Sequence, residues 1–335
     1  MKTMTQVQTL SEHDQDVLAE LDALMRSTFQ LWDQEWVGFS WRNYTYDHVR
    51  RVRNLAINLG QTEGADIRVI EFAAVLHDIT KSYDGEIIMK DGKRVLDANG
   101  FWQNEFLEPQ RRNAVTELYD RLGLKGQLHN VSGAEIANAL LEERGYPQEF
   151  REHVHEVIRT HLMVKDFSSL EGRCIYDADT IDANIGHPAF FRNIHIGMRN
   201  MERQYHQRGE SLDDFLHQSL RSHLEQYVSE KLPPWIEGKQ RDFVQKMTTE
   251  AGRLRSLDRI ERLRETVEGM REEFARYDEE IEHGRLAVVV YFIRNRKNPA
   301  LSDQFPELEA RWPKGLDTGA AMFLTTLQRE IDGAW

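Results

Sequence analysis

Two histidines of this chain are spaced to face the interior of helices, where an imidazole needs a partner. His48 lies in the segment YDHVRRV, in helical register with the apolar residues Val52, Leu55 and Leu59. His77 follows, at helical steps, the apolar residues Ile70, Ala73 and Ala74. Asp78 is one position further round the helix and can converge on the same point. The spacing therefore predicts an inward-facing histidine–aspartate pair at residues 77 and 78.

Three later side chains are of the same types and also lie on apolar faces. His161 continues the face formed by Val154, Val157 and Ile158. His129 opens a helix whose buried stripe continues through Ile136 and Leu140. Asp179 lies in the segment CIYDADTID, in a helical turn flanked by apolar residues. Six candidate ligands thus face inward from different helices.

Burying imidazoles and carboxylates without partners is costly, and shared coordination of a metal ion removes that cost. Mixed histidine and carboxylate donors suit Mn, Fe, Co, Ni or Zn better than a cage of oxygen atoms would. The residue types therefore predict a site for one or two divalent transition-metal ions.

Five segments, in this order along the chain, resemble the HD-domain superfamily of metal-dependent phosphohydrolases. They are the region of His48, LHDITK at residues 76–81, HNVSGAEIA at 129–137, IRTHL at 158–162 and DADTID at 177–182. The resemblance spans about residues 40–190. It includes the two intermediate histidines found in members that have a dinuclear centre.

The resemblance implies a role for each candidate ligand. One metal ion would be bound by His48, His77, Asp78 and Asp179. A second ion would be bound by His129 and His161, with Asp78 bridging the two ions. Lys81 matches a lysine that often follows the HD pair and approaches the substrate phosphate. Thr80 stands where the family usually has glycine, a departure that could change the local turn.

The activity implied is hydrolysis of a phosphoester of a nucleotide or another small molecule. Metal ions would lower the pKa of a bound water, and the resulting hydroxide would attack the phosphorus. Lys81 would stabilise the negative charge that develops in the transition state. On this interpretation Lys81 and Asp78 are the catalytic residues. No side-chain nucleophile is needed, so the single cysteine, Cys174, has no catalytic role.

Two other functions fit the same residues. An HD-type di-iron oxygenase uses the same six ligand types, although Lys81 and its HDITK context favour hydrolysis. A non-catalytic HD module could sense a ligand, but all six expected ligand positions are filled here. The substrate, the metal and the oligomeric state stay open at this point.

Several residues compete with the assigned ligands. Asp177 competes with Asp179, which is preferred because the family pattern places the ligand in an Ala-Asp-x-aliphatic element. His153 and His155 compete with His161, which alone has the IRTH context.

Other polar residues near the motifs have two interpretations each. Asp182 could orient a ligand histidine or could be a solvated helix residue. The arginines at positions 50, 51 and 53 could meet an anionic substrate, but a solvated basic helix face is favoured. The dipeptide His13-Asp14 repeats the HD pair without any supporting context, so no metal is assigned to it.

The elements that carry these residues are predominantly helical, since the 335 residues include only 8 prolines and 21 glycines. Helices are predicted at about residues 11–32, 46–59, 66–78, 129–141 and 147–161, with another starting near 170. Ser11 is the expected N-cap of the first helix and Gly60 the expected C-cap of the second. Apolar runs on both sides of Asp91-Gly92 predict a β-hairpin at residues 86–96. An apolar stripe predicts one long amphipathic helix from Leu254 to Ile281.

Together these elements predict an all-α fold, an HD-domain helical bundle with a small β-hairpin insertion and a C-terminal helical extension. The predicted domains are an N-terminal helical segment at residues 1–39, an HD metal-binding domain at 40–200 and a C-terminal helical region at 201–335. The insertion is expected at about residues 84–98. The C-terminal helices permit a homo-oligomer.

Composition limits the partners. The formal net charge of −13 argues against a broad nucleic-acid footprint and leaves a small phosphorylated, nucleotide-like substrate as the expected partner. A single cysteine fits a reducing compartment. The N-terminal stretch lacks the apolar core of a signal peptide, and the apolar run at residues 286–293 is too short to span a bilayer. We therefore expect a cytoplasmic protein without membrane contact.

Overall fold

The computed structural model describes residues 10–38, 40–96, 102–163, 169–297 and 299–334. Most of these residues are helical, and the strands are few and short. The predicted all-α class is confirmed. The chain forms two compact units, one ending at Asp179 and the other beginning at Thr180. The division into segments at residues 39 and 200 stays a prediction.

The helices up to residue 184 are α1 (Glu12–Phe29), α2 (Arg42–Glu63), α3 (Ile67–Leu76), α4 (Ala114–Arg121), α5 (His129–Glu143), α6 (Gln148–Thr160) and α7 (Leu170–Asn184). In the first unit α3 is central, packing against α1, α2 and α6, while α5 packs along α6. Every residue of α3 from Val69 to Leu76 is buried. Apart from Arg68 and Glu71 the helix is apolar, as expected for a helix with neighbours on several sides.

Helix ends follow the capping rules, with one correction. The Ser11 side chain accepts a hydrogen bond from the Asp14 backbone amide, so the predicted N-cap of α1 is confirmed. Gly60, the predicted C-cap of α2, lies inside that helix instead. A Cβ at Gly60 would lie 2.3 Å from Ile70 Cδ1, so the glycine provides room for α3. The left-handed residue that ends α2 is Gly64, with φ of 84°.

Among its described residues, the first unit also has six short strands: β1 (Trp36–Val37), β2 (Ser40–Trp41), β3 (Asp84–Ile87), β4 (Met89–Lys90), β5 (Lys93–Arg94) and β6 (Asn104–Phe106). The predicted hairpin is confirmed, since β4 and β5 pair around a turn where Asp91 and Gly92 have φ of 50° and 73°. Positive φ at both turn residues is the conformation that Asp-Gly favours. The antiparallel pairing of β3 with β6 closes the base of this small β-region.

The second unit contains α8 (His187–Gln207), α9 (Leu212–Gln226), α10 (Leu232–Phe243), α11 (Glu250–Glu273), α12 (Tyr277–His283), α13 (Arg285–Arg294), α14 (Leu301–Arg311) and α15 (Gly319–Ile331). The single long helix predicted for residues 254–281 is wrong, because α11 ends at Glu273. The Glu273 carboxylate accepts hydrogen bonds from the backbone amides of Arg285 and Leu286, at 2.8 and 2.9 Å. The chain must therefore turn back within eleven residues to place α13 beside the end of α11.

The most apolar stretch of the chain forms a core helix. All residues from Leu286 to Ile293 in α13 are buried, and α13 packs against α8, α11 and α15. Among the described residues, no helix is long and apolar enough to cross a membrane.

Candidate metal centre

The histidine–aspartate pair follows directly after the buried helix α3. His77 Nδ1 lies 2.8 Å from the backbone carbonyl oxygen of Ala74. A carbonyl oxygen can only accept, so Nδ1 carries the proton and the Nε2 lone pair points away from the helix. His161, the residue after α6, repeats this arrangement with the Ile158 carbonyl oxygen, at 2.6 Å. Each histidine is thus fixed by its own helix end in the tautomer that presents Nε2 as a ligand.

Asp78 stands at the centre of four imidazoles. Its Oδ2 atom lies 3.5 Å from His77 Nε2 and 3.8 Å from His48 Nε2. Its Oδ1 atom lies 3.5 Å from His129 Nε2 and 3.9 Å from His161 Nε2. The two oxygens of one carboxylate therefore face two different pairs of histidines.

The six predicted ligands come together in two groups. One group contains His48, His77 and Asp179, with His48 Nε2 only 2.9 Å from Asp179 Oδ1. The other contains Asp78, His129 and His161. Within each group the candidate ligand atoms lie within 4.8 Å of one another, so each group can hold one metal ion.

Buried polar atoms without partners test whether a metal fits these residues. Four such atoms face one another here: Nε2 of His77, His129 and His161, and Oδ1 of Asp78. None of them has a hydrogen-bond partner among the described residues. Leaving such atoms unsatisfied costs about 1–3 kcal/mol each. Nitrogen lone pairs that converge on a carboxylate are metal ligands by chemistry, so the residues present fit a divalent transition metal.

Burial and charge set the protonation states that metal binding requires. Burial lowers the pKa of His77, and burial lowers the pKa of His161 to about 3, so both imidazoles are neutral near pH 7. Burial alone would raise the pKa of Asp78. The Lys81 ammonium opposes the effect of burial, and the pKa of Asp78 lies well below its usual value. The hydrogen bond from His48 similarly lowers the pKa of Asp179 against the effect of burial. Neutral histidines and ionised carboxylates are the forms that coordinate.

Lys81 reaches the centre from the turn that follows the pair. Its Nζ atom donates to Asp78 Oδ2 at 2.5 Å, and its side chain stays 17% exposed. A Cβ at Gly38 would lie 2.8 Å from both Lys81 Cγ and the Lys81 carbonyl oxygen, so that glycine allows the β1–β2 turn to lie against Lys81. The lysine is therefore held beside the carboxylate but remains accessible to a ligand.

Thr80, which replaces the usual glycine, links the turn to α5. Its φ is −107°, a conformation that needs no glycine. Its hydroxyl lies 2.8 Å from Ser132 Oγ and 3.2 Å from the His129 carbonyl oxygen. A close approach accompanies these bonds, because a Cβ at Gly133 would lie 3.3 Å from the His77 carbonyl oxygen. The threonine at this position therefore links α5, which begins at His129, to the turn that follows the histidine–aspartate pair.

One residue of the centre was not predicted from the sequence. Asp84, the first residue of β3, accepts a hydrogen bond from His129 Nδ1, with 2.6 Å between Nδ1 and Oδ2. The bond fixes the His129 tautomer that presents Nε2 towards Asp78. Nothing local marks Asp84, since its partner is 45 residues away along the chain.

The competing residues have other partners. His153 pairs with Glu171 at 3.2 Å and His155 with Glu135 at 3.0 Å. Asp177 is buried but belongs to neither ligand group. Asp182 is also buried, so it is not a solvated helix residue.

The expected solvated basic face on α2 is wrong for Arg51, while Arg53 is half-buried. Arg51 is buried, pairs with Asp47 one turn earlier and lies over the Tyr44 ring. Arg53 Nε donates to Glu71 Oε2 at 2.8 Å. Both arginines therefore stabilise the helix packing. Cys174 is buried, and burial raises its thiol pKa to about 12, in keeping with the absence of a predicted catalytic role.

Residues 45–184 match the sequence model of the HD domain, and this range contains all six predicted ligands. This part of the chain is an HD domain, as the motif order predicts. No curated protein gives a significant match to the whole chain.

Several solved structures are similar to this chain at low identity. A predicted HD superfamily hydrolase from an uncultured Thermotogales bacterium is 26% identical, with 52% of this chain and 72% of that chain covered and a TM-score of 0.34. Bacillus subtilis YpgQ, solved in complex with ADP, is 18% identical, with 78% and 96% covered and a TM-score of 0.37. A second YpgQ structure is 17% identical, with 78% and 95% covered and a TM-score of 0.39.

Proposed function

We propose that this chain is a metal-dependent phosphohydrolase that cleaves a phosphoester of a nucleotide or another small molecule. The observation that carries the proposal is the position of Asp78, whose two oxygens each face two histidines. On this proposal Asp78 bridges two metal ions. His48, His77 and Asp179 complete the first site, and two histidines complete the second: His129 and His161.

The protein residues divide the remaining tasks between positioning and charge. A divalent metal bound here would make a water nucleophilic near neutral pH and would polarise the phosphoryl oxygens. Ala74 and Ile158, through their carbonyls, and Asp84, through its carboxylate, hold three histidines in the ligand tautomer. The burial of the ligands excludes bulk water from the centre, which strengthens every electrostatic interaction inside it.

Lys81 is the group that favours phosphoester hydrolysis. Its ammonium lies on Asp78 Oδ2, beside the place where a phosphoryl group would meet the metal ligands. Positive charge at this place stabilises the negative charge that builds up on phosphoryl oxygens in the transition state. A di-iron oxygenase would use the same six ligands, but its reaction has no phosphoryl charge for this ammonium to stabilise.

The proposal is tested by adding Mn, Fe, Co, Ni or Zn to the purified chain and measuring hydrolysis of bis(p-nitrophenyl) phosphate, p-nitrophenyl phosphate and nucleotides. His77→Ala should abolish activity with every metal and substrate. His155→Ala is the matched control: His155 lies in α6 and pairs with Glu135 outside the centre, so activity should be retained.

Equal activity in the His77→Ala variant would contradict the proposal. A wild-type protein that takes up iron, colours in air and consumes oxygen, but hydrolyses none of the phosphoesters, would identify the oxygenase instead.

A further inference from the structure

A pocket of about 240 Å³ lies in the β-region that is inserted between the histidine–aspartate pair and α5. Its walls come from the start of β3, from β6 and from the turn before α5. The lining residues that matter here are Tyr83, Asp84, Trp102, Asn104 and Phe106. The proposed ligands and Lys81 do not line it, so the pocket is separate from the metal centre.

One carboxylate connects this pocket to the centre. Asp84 lines the pocket and also accepts the hydrogen bond from His129 Nδ1 at 2.6 Å. Leu128, another lining residue, immediately precedes His129 in the chain. The pocket and the metal centre therefore meet at Asp84, so the pocket is the neighbouring space for the rest of a molecule whose phosphate is bound at the centre.

A buried amide shows what the pocket can recognise. Both Nδ2 and Oδ1 of Asn104 are buried, and neither has a hydrogen-bond partner among the described residues. The hydroxyl of Tyr83, a residue only 3% exposed, is also buried and has no hydrogen-bond partner among the described residues. Buried polar groups are nearly always satisfied in native proteins, so exceptions that line one pocket indicate a ligand. An amide offers donors beside an acceptor, and its complement is a ligand edge with an acceptor beside a donor.

The other walls favour a flat ring. Three of the lining residues are aromatic, and the Tyr83 and Phe106 rings stack on each other at 5.6 Å between centroids. Aromatic walls suit planar heteroaromatic groups, which can stack on them. The volume is below the range of about 300–1,000 Å³ that is typical of pockets for whole drug-sized ligands. The pocket therefore fits a single ring system.

We propose that this pocket binds the leaving group of the substrate and that Asn104 selects a planar heteroaromatic ring whose edge carries a donor next to an acceptor. A nucleobase presents such an edge, and asparagine pairs with it through two hydrogen bonds. The leaving-group role rests on the proposed phosphohydrolase function, whereas binding of the ring does not.

The test uses nucleosides, which lack phosphate and so need neither the metal nor hydrolysis. Adenosine, guanosine, cytidine and uridine are titrated calorimetrically into the full-length protein as purified. At least one should bind, and Asn104→Ala should weaken it at least about tenfold, the loss expected for a pair of hydrogen bonds. Asn58→Ala is the matched control, since that amide donates to the Asn54 carbonyl within α2. Asn104→Asp should shift preference towards guanosine, whose edge offers two neighbouring donors.

The outcomes separate this inference from the proposed function. No nucleoside binding by the wild type, or unchanged binding by Asn104→Ala, would overturn the assignment even if phosphoesters are hydrolysed. His77→Ala should lose hydrolysis yet bind nucleosides as the wild type does. Loss of nucleoside binding in His77→Ala would indicate that the ring binds at the metal centre. It would overturn the assignment of the ring to the separate pocket.

Discussion

The chain contains the same dipeptide twice, and the two copies have opposite surroundings. In His13-Asp14 the histidine is exposed and stacks on Tyr146, while the aspartate is buried. In His77-Asp78 both residues are buried completely. Burial of the carboxylate is common to both pairs, so burial alone does not distinguish a metal centre from a structural contact.

The difference lies in the partners of the carboxylate. Asp14 accepts two hydrogen bonds from Arg68, both at 3.0 Å, and others from Ser11 Oγ at 2.7 Å and Tyr146 Oη at 2.9 Å. All of these partners are donors, so the carboxylate is satisfied within the protein. Asp78 instead faces four imidazole Nε2 atoms, and three of these have lone pairs fixed towards it by their own helix ends or by Asp84. The Asp14 carboxylate is satisfied by donors within the fold, whereas the unpartnered Oδ1 of Asp78 and the imidazole lone pairs that face this carboxylate fit a metal ion.

The largest contrast is expected in activity. Asp78→Ala should reduce phosphoester hydrolysis at least about a thousandfold, because a metal centre supplies several kcal/mol of transition-state stabilisation and each 1.4 kcal/mol is tenfold. Asp14→Ala, assayed below its melting temperature, should retain kcat/KM. Steady-state kinetics with the best substrate and metal measure both. Equal losses in the two variants would remove the distinction between the pairs.

Lys81, which lies beside Asp78, should affect catalysis, whereas Arg68, which lies beside Asp14, should affect only stability. Lys81→Met should lower kcat about a hundredfold, the typical loss for one group that stabilises developing charge. Its metal content should stay at the wild-type level. Arg68→Met, the matched change beside Asp14, should leave kcat unchanged and lower the melting temperature. A Lys81→Met enzyme with full kcat would show that the ammonium only neutralises Asp78.

The carboxylate that orients His129 should affect metal affinity. Asp84→Asn is expected to weaken binding at the His129 site about 10–100-fold, the usual effect of losing a carboxylate that orients a ligand histidine. Competition with a metal-binding dye measures the affinity. Glu135→Gln, which removes the partner of the non-ligand His155, is the control and should have no effect.

The smallest effect is expected on stability and its pH dependence. Asp14→Ala should lower the free energy of unfolding by about 2 kcal/mol, since it removes hydrogen bonds to a charged group. Burial opposes ionisation of Asp14, but hydrogen bonds from Arg68, Ser11 and Tyr146 lower its pKa. A lowered folded-state pKa stabilises the fold above the unfolded-state pKa near 4, and this stabilisation is lost as the pH falls further. Urea unfolding between pH 3 and 7 should therefore show a steeper acid loss for the wild type than for Asp14→Ala.

The residues that gather around Asp78 could be predicted from the sequence because each candidate ligand lies in a local pattern. His48 and His161 continue apolar helical faces, and the histidine–aspartate pair follows a helix that is apolar except for Arg68 and Glu71. Helical register is a local property, so the inward direction of these side chains follows from a few neighbouring residues. The structure brings the resulting six residues together in two groups of three.

The residues that were missed or wrongly predicted have environments formed by parts of the chain that are distant in sequence. Asp84 meets His129 only because β3 leads back beneath α5, and no spacing marks it. Gly60 looks like a helix end, yet Ile70 of the neighbouring helix occupies the space that a side chain would need. Arg51 looks like part of a solvated face, yet Arg51 and Asp47 are both buried by the surrounding structure. In each case tertiary packing outweighs a local signal.

We expect Asp78, and not Asp14, to organise a metal centre. The most direct test is elemental analysis of the wild type, Asp78→Ala and Asp14→Ala after equal exposure to Mn, Fe, Co, Ni or Zn and gel filtration. We predict two ions per chain in the wild type and in Asp14→Ala, and at most a trace in Asp78→Ala. Undiminished metal in Asp78→Ala would contradict this role of Asp78.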